Sequence, residues 1–350
     1  MAKRWQLSAI LALAFLVAWV GSLEAHYFEI RDLGTLPATI TPVPTAISDA
    51  GWVVGYCIDA QDKSHAFLWN DVGGMVPLGD LGGGESTALG INKSGQVVGW
   101  SKNSSGNKRA FLWTQQDGMQ DLGTLGGAES IAYAIDELGD IVGEAQTADG
   151  HYRAFFKKAG RRMTNLGTLG GAWSKAMAIN KVSKYFQVVG QSQNAGGGSR
   201  AFLWSSKRSN QLTDLGLLEL GTWSSAQKIN SLGEVVGVGD RDEADRAFLW
   251  TTLNGMENLG TLNSESNAKG INDKTLVVGT SVGSYFLDVR AFLWSRKKGM
   301  RDLNNMVNMP NGVLLTSAEG INNANQIIAG AFAINTPTSR AYLLTPVAIE

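Results

Sequence analysis

One five-residue string limits what this chain can fold into. "RAFLW" stands at residues 109–113, 200–204, 246–250 and 290–294, with variants "HAFLW" from His65, "RAFFK" from Arg153 and "RAYLL" from Arg340. The copies recur every 44 to 50 residues. Each spacing holds four short apolar stretches: "AxxIN", as in "ALGIN" from Ala88; "VVG", ending at Gly55, Gly99, Gly190, Gly237 and Gly279; "RAFLW"; and "MxDLG", as in "MQDLG". All are bounded by Gly, Asn, Asp and Ser, which is the pattern of strands and turns. No helical period is sustained after the first 25 residues. A repeat of this length built from four strands is a propeller blade. The expected fold is therefore all-β: a seven-bladed β-propeller of four-stranded antiparallel blades, a single domain over residues 26–350. "RAFLW" is apolar at consecutive positions, as a strand covered on both faces must be. Phe111 and Trp113 should face one neighbouring blade, Ala110 and Leu112 the other.

A leftover and a vacancy predict how the ring closes. "YFEIRDLGTL" from Tyr27 matches a fourth strand without the preceding three, and the last unit, "AEGIN…IIAG…RAYLLTP", lacks its fourth. The N-terminal strand should complete the seventh blade and hide open sheet edges. Pro77 replaces the Asp of "MxDLG"; lacking an N–H, proline suits an edge strand, so the fourth strand is expected outermost and "AxxIN" at the channel. Arg109 should pair with Asp121, and Arg340 with Asp32 across the closure. Asn92 and Gly95 bracket a tight hairpin, a device repeated at Asp136/Gly139 and Asn230/Gly233. The long crossing "NNMVNMPNGVLLTS" is expected to accommodate the closure.

The first residues, "MAKRWQLSAILALAFLVAWVGSLEA", read as a signal peptide over 1–25, with Lys3 and Arg4 ahead of an apolar core and a small residue, Ala25, at its end. The expectation is a secreted, periplasmic or extracellular protein, monomeric, with no membrane span in the mature chain. A formal charge of −1 gives no whole-molecule case for nucleic acid. Cys57 is the only cysteine, so no internal disulfide can form, and it reads as a small apolar filler of a strand.

"HAFLW", "DLGTLGG", "INxxGxVVG" and "DLNNMVN…AEGINNANQI" together resemble the bacterial extracellular HAF-repeat family, over nearly all of the chain beyond the leader. Most units here carry Arg-Ala-Phe, and His65 alone keeps the histidine. The resemblance implies an exported bacterial repeat protein and brings no catalytic residue with it.

Motifs of chemistry are sparse. The histidines are His26, His65 and His151, in different parts of the ring; no "GxSxG" elbow and no "GxxxxGK[ST]" loop occur. No cofactor is expected, with calcium at the acidic "GDRDEADR" segment the one candidate, through Asp240, Asp242 and Asp245. The glycine and twelfth-position glutamate of a calcium hand are missing there, and a solvated acidic loop is the competing reading. Loops joining second to third and fourth to first strands share one face and lean acidic (Asp59, Asp62, Glu85, Glu129, Asp149, Glu219, Glu265, Asp288). Turns between third and fourth strands lean basic (Lys157, Lys158, Arg161, Arg162, Lys207, Arg208, Lys297, Lys298, Arg301). Trp173, Trp223, Tyr152, Tyr285 and Phe286 are the loop aromatics suited to stacking on a ligand; the competing reading, that Trp173 and Trp223 fold inward and cap the blade junctions, is slightly favoured. The leading expectation is a secreted, non-catalytic propeller binding carbohydrate or protein. The alternatives are an extracellular polysaccharide-active hydrolase or lyase and a passive envelope or matrix protein.

Overall fold

In a computed structural model, residues 27–182, 184–207, 211–285, 288–334 and 338–347 are described; the expected leader, Arg208 and Phe286 lie outside them. Alternating apolar residues and glycine-closed turns produce seven four-stranded antiparallel sheets. Blade 1 runs Thr39–Ile47, Val53–Asp59, Ser64–Asn70 and Gly74–Pro77, from the channel outward. The inner strands of blades 2 to 6 are Gly82–Ile91, Gly126–Ile135, Gly170–Val182, Ser224–Ile229 and Glu265–Ile271. Blade 7 takes Val313–Ile321, Ile327–Ala333 and Thr338–Pro346, and its outer strand is Phe28–Asp32. The fold is the expected seven-bladed propeller, sealed by its N-terminal strand.

The third strands form the belt of the core. Phe67, Phe111, Phe155, Phe202, Phe248 and Phe292 are all wholly buried. Phe111 and Trp113 pack on Ala66 and Leu68 of blade 1, while Ala110 and Leu112 meet Phe155 of blade 3. Burying each such ring contributes about 1.5–3 kcal/mol. The glycine of "VVG" has a steric cause. A Cβ on Gly99 would lie 1.9 Å from the Thr87 carbonyl oxygen and 2.9 Å from the Ala88 Cα, so only glycine fits opposite the inner strand.

Two polar belts tie the blades together, and neither is evident from periodicity. In five blades the serine opening the "SxAxxI" stretch is buried (Ser86, Ser130, Ser174, Ser224 and Ser266). Its Oγ accepts from the preceding blade's "AF" alanine N–H at 2.9–3.0 Å and donates to that blade's "LG" glycine carbonyl at 2.6–2.7 Å. The asparagines of "IN" also do more than shape turns. Asn92 Oδ1 accepts from Ser94 and Gln96, and its Nδ2 donates 3.0 Å to the Asp136 carbonyl of the next blade. Asn180, Asn230, Asn272 and Asn322 donate onward in the same way, the last to Ser48 of blade 1 at 3.0 Å.

Closure follows the expected register. Phe28 lies opposite Pro346 and Asp32 opposite Tyr342. Arg340 meets Asp32 at 2.9 Å and Arg109 meets Asp121 at 3.0 Å. Leu33 and Leu36 continue into the core with Phe67 and Trp69 of blade 1. The long crossing does serve the closure: its 3₁₀ turn, Leu303–Met306, leads to Val307, which bridges Phe28 in parallel. Pro77 ends an outer strand and Cys57 is buried, both as read from sequence.

Candidate ligand-binding site

A propeller has two ends. One carries the hairpins between first and second strands and the turns between third and fourth. There a channel mouth of about 530 Å³ is lined by the Ile-Asn ends of the inner strands. Asp49, Asp136, Glu137, Lys181 and Asp273 line that mouth. The opposite end carries the acidic connections and the more structured cleft.

Each inner strand contains a register shift that leaves one residue without a cross-strand partner. Such a bulge re-aims a side chain. Here the seven bulge residues are Thr45, Leu89, Tyr133, Met177, Gln227, Lys269 and Glu319, and together they line an axial chamber of about 260 Å³. Lys269 and Glu319 are paired there at 2.7 Å.

At the acidic end this chamber adjoins a cleft of about 450 Å³, with which it shares Leu89 and Tyr133. Tyr56 and Trp100, each one residue past a "VVG" glycine, line it together with Tyr133. Ser64, Thr87, Asp62 and Glu85 supply polar groups among these rings. Lys108 holds Trp100 from one side, its Nζ 4.5 Å from the ring centroid, a cation–π contact. Tyr133 donates to Glu144 at 2.7 Å, and burial, with the Glu144 charge adding, drives its phenol far above the ordinary range. Burial likewise raises Tyr56, with Glu319 contributing. Both phenols therefore stay neutral at physiological pH, the Tyr133 hydroxyl already donating to Glu144. Burial also raises Glu144, against the pull of its Tyr133 bond and of Lys175 and Lys108.

Four carboxylates near this end already have partners, whereas Asp62 in the cleft lining keeps its carboxylate unengaged among the described residues. Glu85 accepts from Lys102 at 2.6 Å, Glu144 from Tyr133, and Glu129 from Tyr152, whose own phenol that bond and burial push up to about 12. Asp59 sits 2.8 Å from His65 Nε2 and is held down at about 2, first by that bond and then by the Lys63 backbone. This arrangement offers stacking surfaces and fixed hydrogen-bonding groups.

The residues singled out from sequence scatter more widely. Trp173 and Trp223 are half-buried and stand outside the cleft lining. Tyr285 is 80% exposed on blade 6. Tyr152 is half-buried and adjoins the site through the charges it shares with Tyr133 and Glu144. The segment read as an acidic loop is a tight hairpin: Asp242 and Glu243 form its turn with φ of 50° and 64°, and Asp240 lies opposite Asp245. Asp240 is 8% exposed and accepts from the Thr222 and Trp223 backbone and the Thr222 hydroxyl at 2.7–2.8 Å. Its oxygens thus organise the approach to blade 5. Among the described residues no group of three or more His, Cys, Asp or Glu side chains is placed to hold a metal. The second-strand aromatics Tyr56 and Trp100 escaped the sequence reading. Their signal was an aromatic in the column after "VVG", where other blades carry Gln191, Val238 or Thr280.

No protein-family model matches this chain, and no curated protein matches it. Its backbone is similar to several solved propellers. The β-propeller domain of the trilobed protease from Pyrococcus furiosus, described as having an open velcro topology, is 9% identical with a TM-score of 0.57, covering 87% of this chain and 95% of that one. YCF48 bound to D1 peptide is 14% identical with a TM-score of 0.53, covering 93% and 97%. Oligogalacturonate lyase in complex with manganese is 9% identical with a TM-score of 0.57, covering 91% and 96%. TolB from Acinetobacter baumannii is 8% identical with a TM-score of 0.50; 84% of this chain aligns, spanning 63% of that longer protein. At such identities the likeness is one of fold. Among the described residues no helix is long and apolar enough to cross a membrane.

Proposed function

We propose that this protein is an exported, non-catalytic propeller of the HAF-repeat kind that binds carbohydrate in the cleft formed by Tyr56, Trp100 and Tyr133. The carrying observation is that cleft itself: three aromatic side chains in one cavity of about 450 Å³, interspersed with Ser64, Thr87, Asp62 and Glu85. Sugar rings present C–H faces that stack on aromatic surfaces and hydroxyls that need donors and acceptors at their edges. The engaged state of Glu85, Glu129 and Glu144 supports binding over acid–base chemistry.

A glycan array followed by calorimetry tests this, with Trp100→Ala as the decisive variant. The expected result is saturable binding of at least one glycan, weakened by at least about tenfold in the variant, a loss of about 1.4 kcal/mol. No glycan binding by the wild-type protein, or equal affinity in the variant, would refute it. A peptide ligand is the second reading, favoured by the fold likeness to a propeller solved with a bound peptide. A peptide display screen against the same two proteins separates the two.

A further inference from the structure

The inner strands are alike at one column except in a single blade. Just after the bulge, six blades carry Ala46, Gly90, Ala134, Ala178, Gly270 and Gly320, whereas blade 5 carries Lys228. The column is small because neighbouring inner strands meet there: a Cβ on Gly270 would lie 3.1 Å from the Gly320 Cα and 3.0 Å from the Val278 side chain. A long side chain has room only in the channel. Lys228 accordingly lines both the chamber of about 260 Å³ and a second, of about 130 Å³, whose other walls are Gly270, Gly320 and Glu319 from blades 6 and 7 and Thr45 to Ile47 from blade 1.

The amine has no hydrogen bond or ion pair among the described residues. Glu319, the carboxylate in the chamber lining, is held by Lys269 at 2.7 Å, and the Tyr133 hydroxyl is turned to Glu144. The chamber lining thus holds two amines, Lys228 and Lys269, and the Glu319 carboxylate already engaged by the second. Burial depresses the Lys228 amine from its ordinary value, the expected cost of an uncompensated charge. In the same chamber Asn267 Oδ1 is buried without a donor. The surroundings thus call for a negative charge at Lys228 and a hydroxyl at Asn267.

We infer that the axial chamber is a binding site for a small oxyanion, a carboxylate or phosphate bearing a hydroxyl, held by Lys228. The site adjoins the sugar cleft, sharing Leu89 and Tyr133, but Lys228 and Asn267 lie outside the cleft lining, so it stands or falls without the cleft. Its test is thermal unfolding at matched ionic strength with gluconate, inorganic phosphate or acetate, on the wild type, Lys228→Ala and the control Lys274→Met. Lys228→Ala installs the residue that blades 1, 3 and 4 carry, so folding is expected to survive. Because phosphate stabilises proteins generally, the readout is the difference between variants.

The expected result is a saturable rise in Tm with gluconate or phosphate in the wild type and in Lys274→Met, absent from Lys228→Ala, with acetate weaker for want of a hydroxyl. Calorimetry should show at least about a tenfold loss of affinity in Lys228→Ala, the effect of one lost charge-assisted hydrogen bond. Preference for gluconate assigns a carboxylate ligand, and preference for phosphate a phosphoryl one. No variant-dependent shift with any probe at about 10 mM, or an unchanged response in Lys228→Ala, would overturn the assignment.

Discussion

Replacing Asp136 by asparagine should make this propeller more stable. In the asparagine belt, Asn92 and Asn230 each use Oδ1 to close their own hairpin and Nδ2 to reach the next blade's carbonyl. Asp136 closes its hairpin identically, accepting from Leu138 and Asp140 at 2.9 Å, but its second oxygen has no proton to offer. Asp136 Oδ2 is buried without a partner, and so is Asp140 Oδ2 in the position that Gln96 and Glu234 fill elsewhere. The side-chain amide introduced by Asp136→Asn would supply a donor to both neighbours. A recovered hydrogen bond contributes about 0.5–1.5 kcal/mol, and relief of a buried unsatisfied group about 1–3 kcal/mol; because these overlap, the expected gain is about 1–3 kcal/mol at pH 7. The pH dependence gives a second check. Burial, with the Asp140 charge adding, raises the folded-state pKa of Asp136 above its ordinary 3.8. The ionised carboxyl therefore penalises the fold fully above the folded-state pKa; the penalty fades as pH falls through that value and is gone below the ordinary one. Urea unfolding of Asp136→Asn and wild type at pH 7 and pH 3 should show the gain at the first and little at the second. A neutral or destabilised variant at pH 7, or a gain independent of pH, would refute the belt argument.

Phe111→Ala should cost about 3–5 kcal/mol, since a wholly buried ring between two blades leaves a cavity that neither can fill; denaturant unfolding measures it, and a loss under about 1 kcal/mol would contradict blade-to-blade burial. His65→Ala should let the Asp59 carboxyl rise from about 2 toward its ordinary 3.8, followed by carboxyl NMR titration. The stabilisation from that pair is present above the ordinary carboxylate range and is lost as pH falls toward 2, so an unmoved Asp59 titration would locate its perturbation elsewhere.

Much of the architecture was legible because the chain states it repeatedly. The doubly apolar "RAFLW" implied strands covered on both faces, and the unmatched "YFEIRDLG" implied a velcro closure that the Arg340–Asp32 contact realises. Pro77 gave the strand order because a missing N–H can be tolerated only at an edge. The site was less legible. Trp173 and Trp223 drew notice by lying in polar, glycine-rich connections, yet both are half-buried. Tyr56 and Trp100 lay in strands that read as core, at a column where blades differ. Asp240 looked like part of a flexible acidic loop, but the chain holds it against Thr222 and Trp223, residues eighteen and seventeen positions earlier.

What every blade shares is written in each repeat: four strands, their order, the burial of each face and the closing partner. These follow from local periodicity and from which residues tolerate an edge, a turn or a tight approach. Which unlike residues from different blades meet depends instead on the assembled ring. Bulges in all seven inner strands turn one side chain each toward a common axis, so Tyr133, Gln227, Lys269 and Glu319 become neighbours although they stand far apart along the chain. That proximity comes from ring geometry, and no pattern within one repeat encodes it.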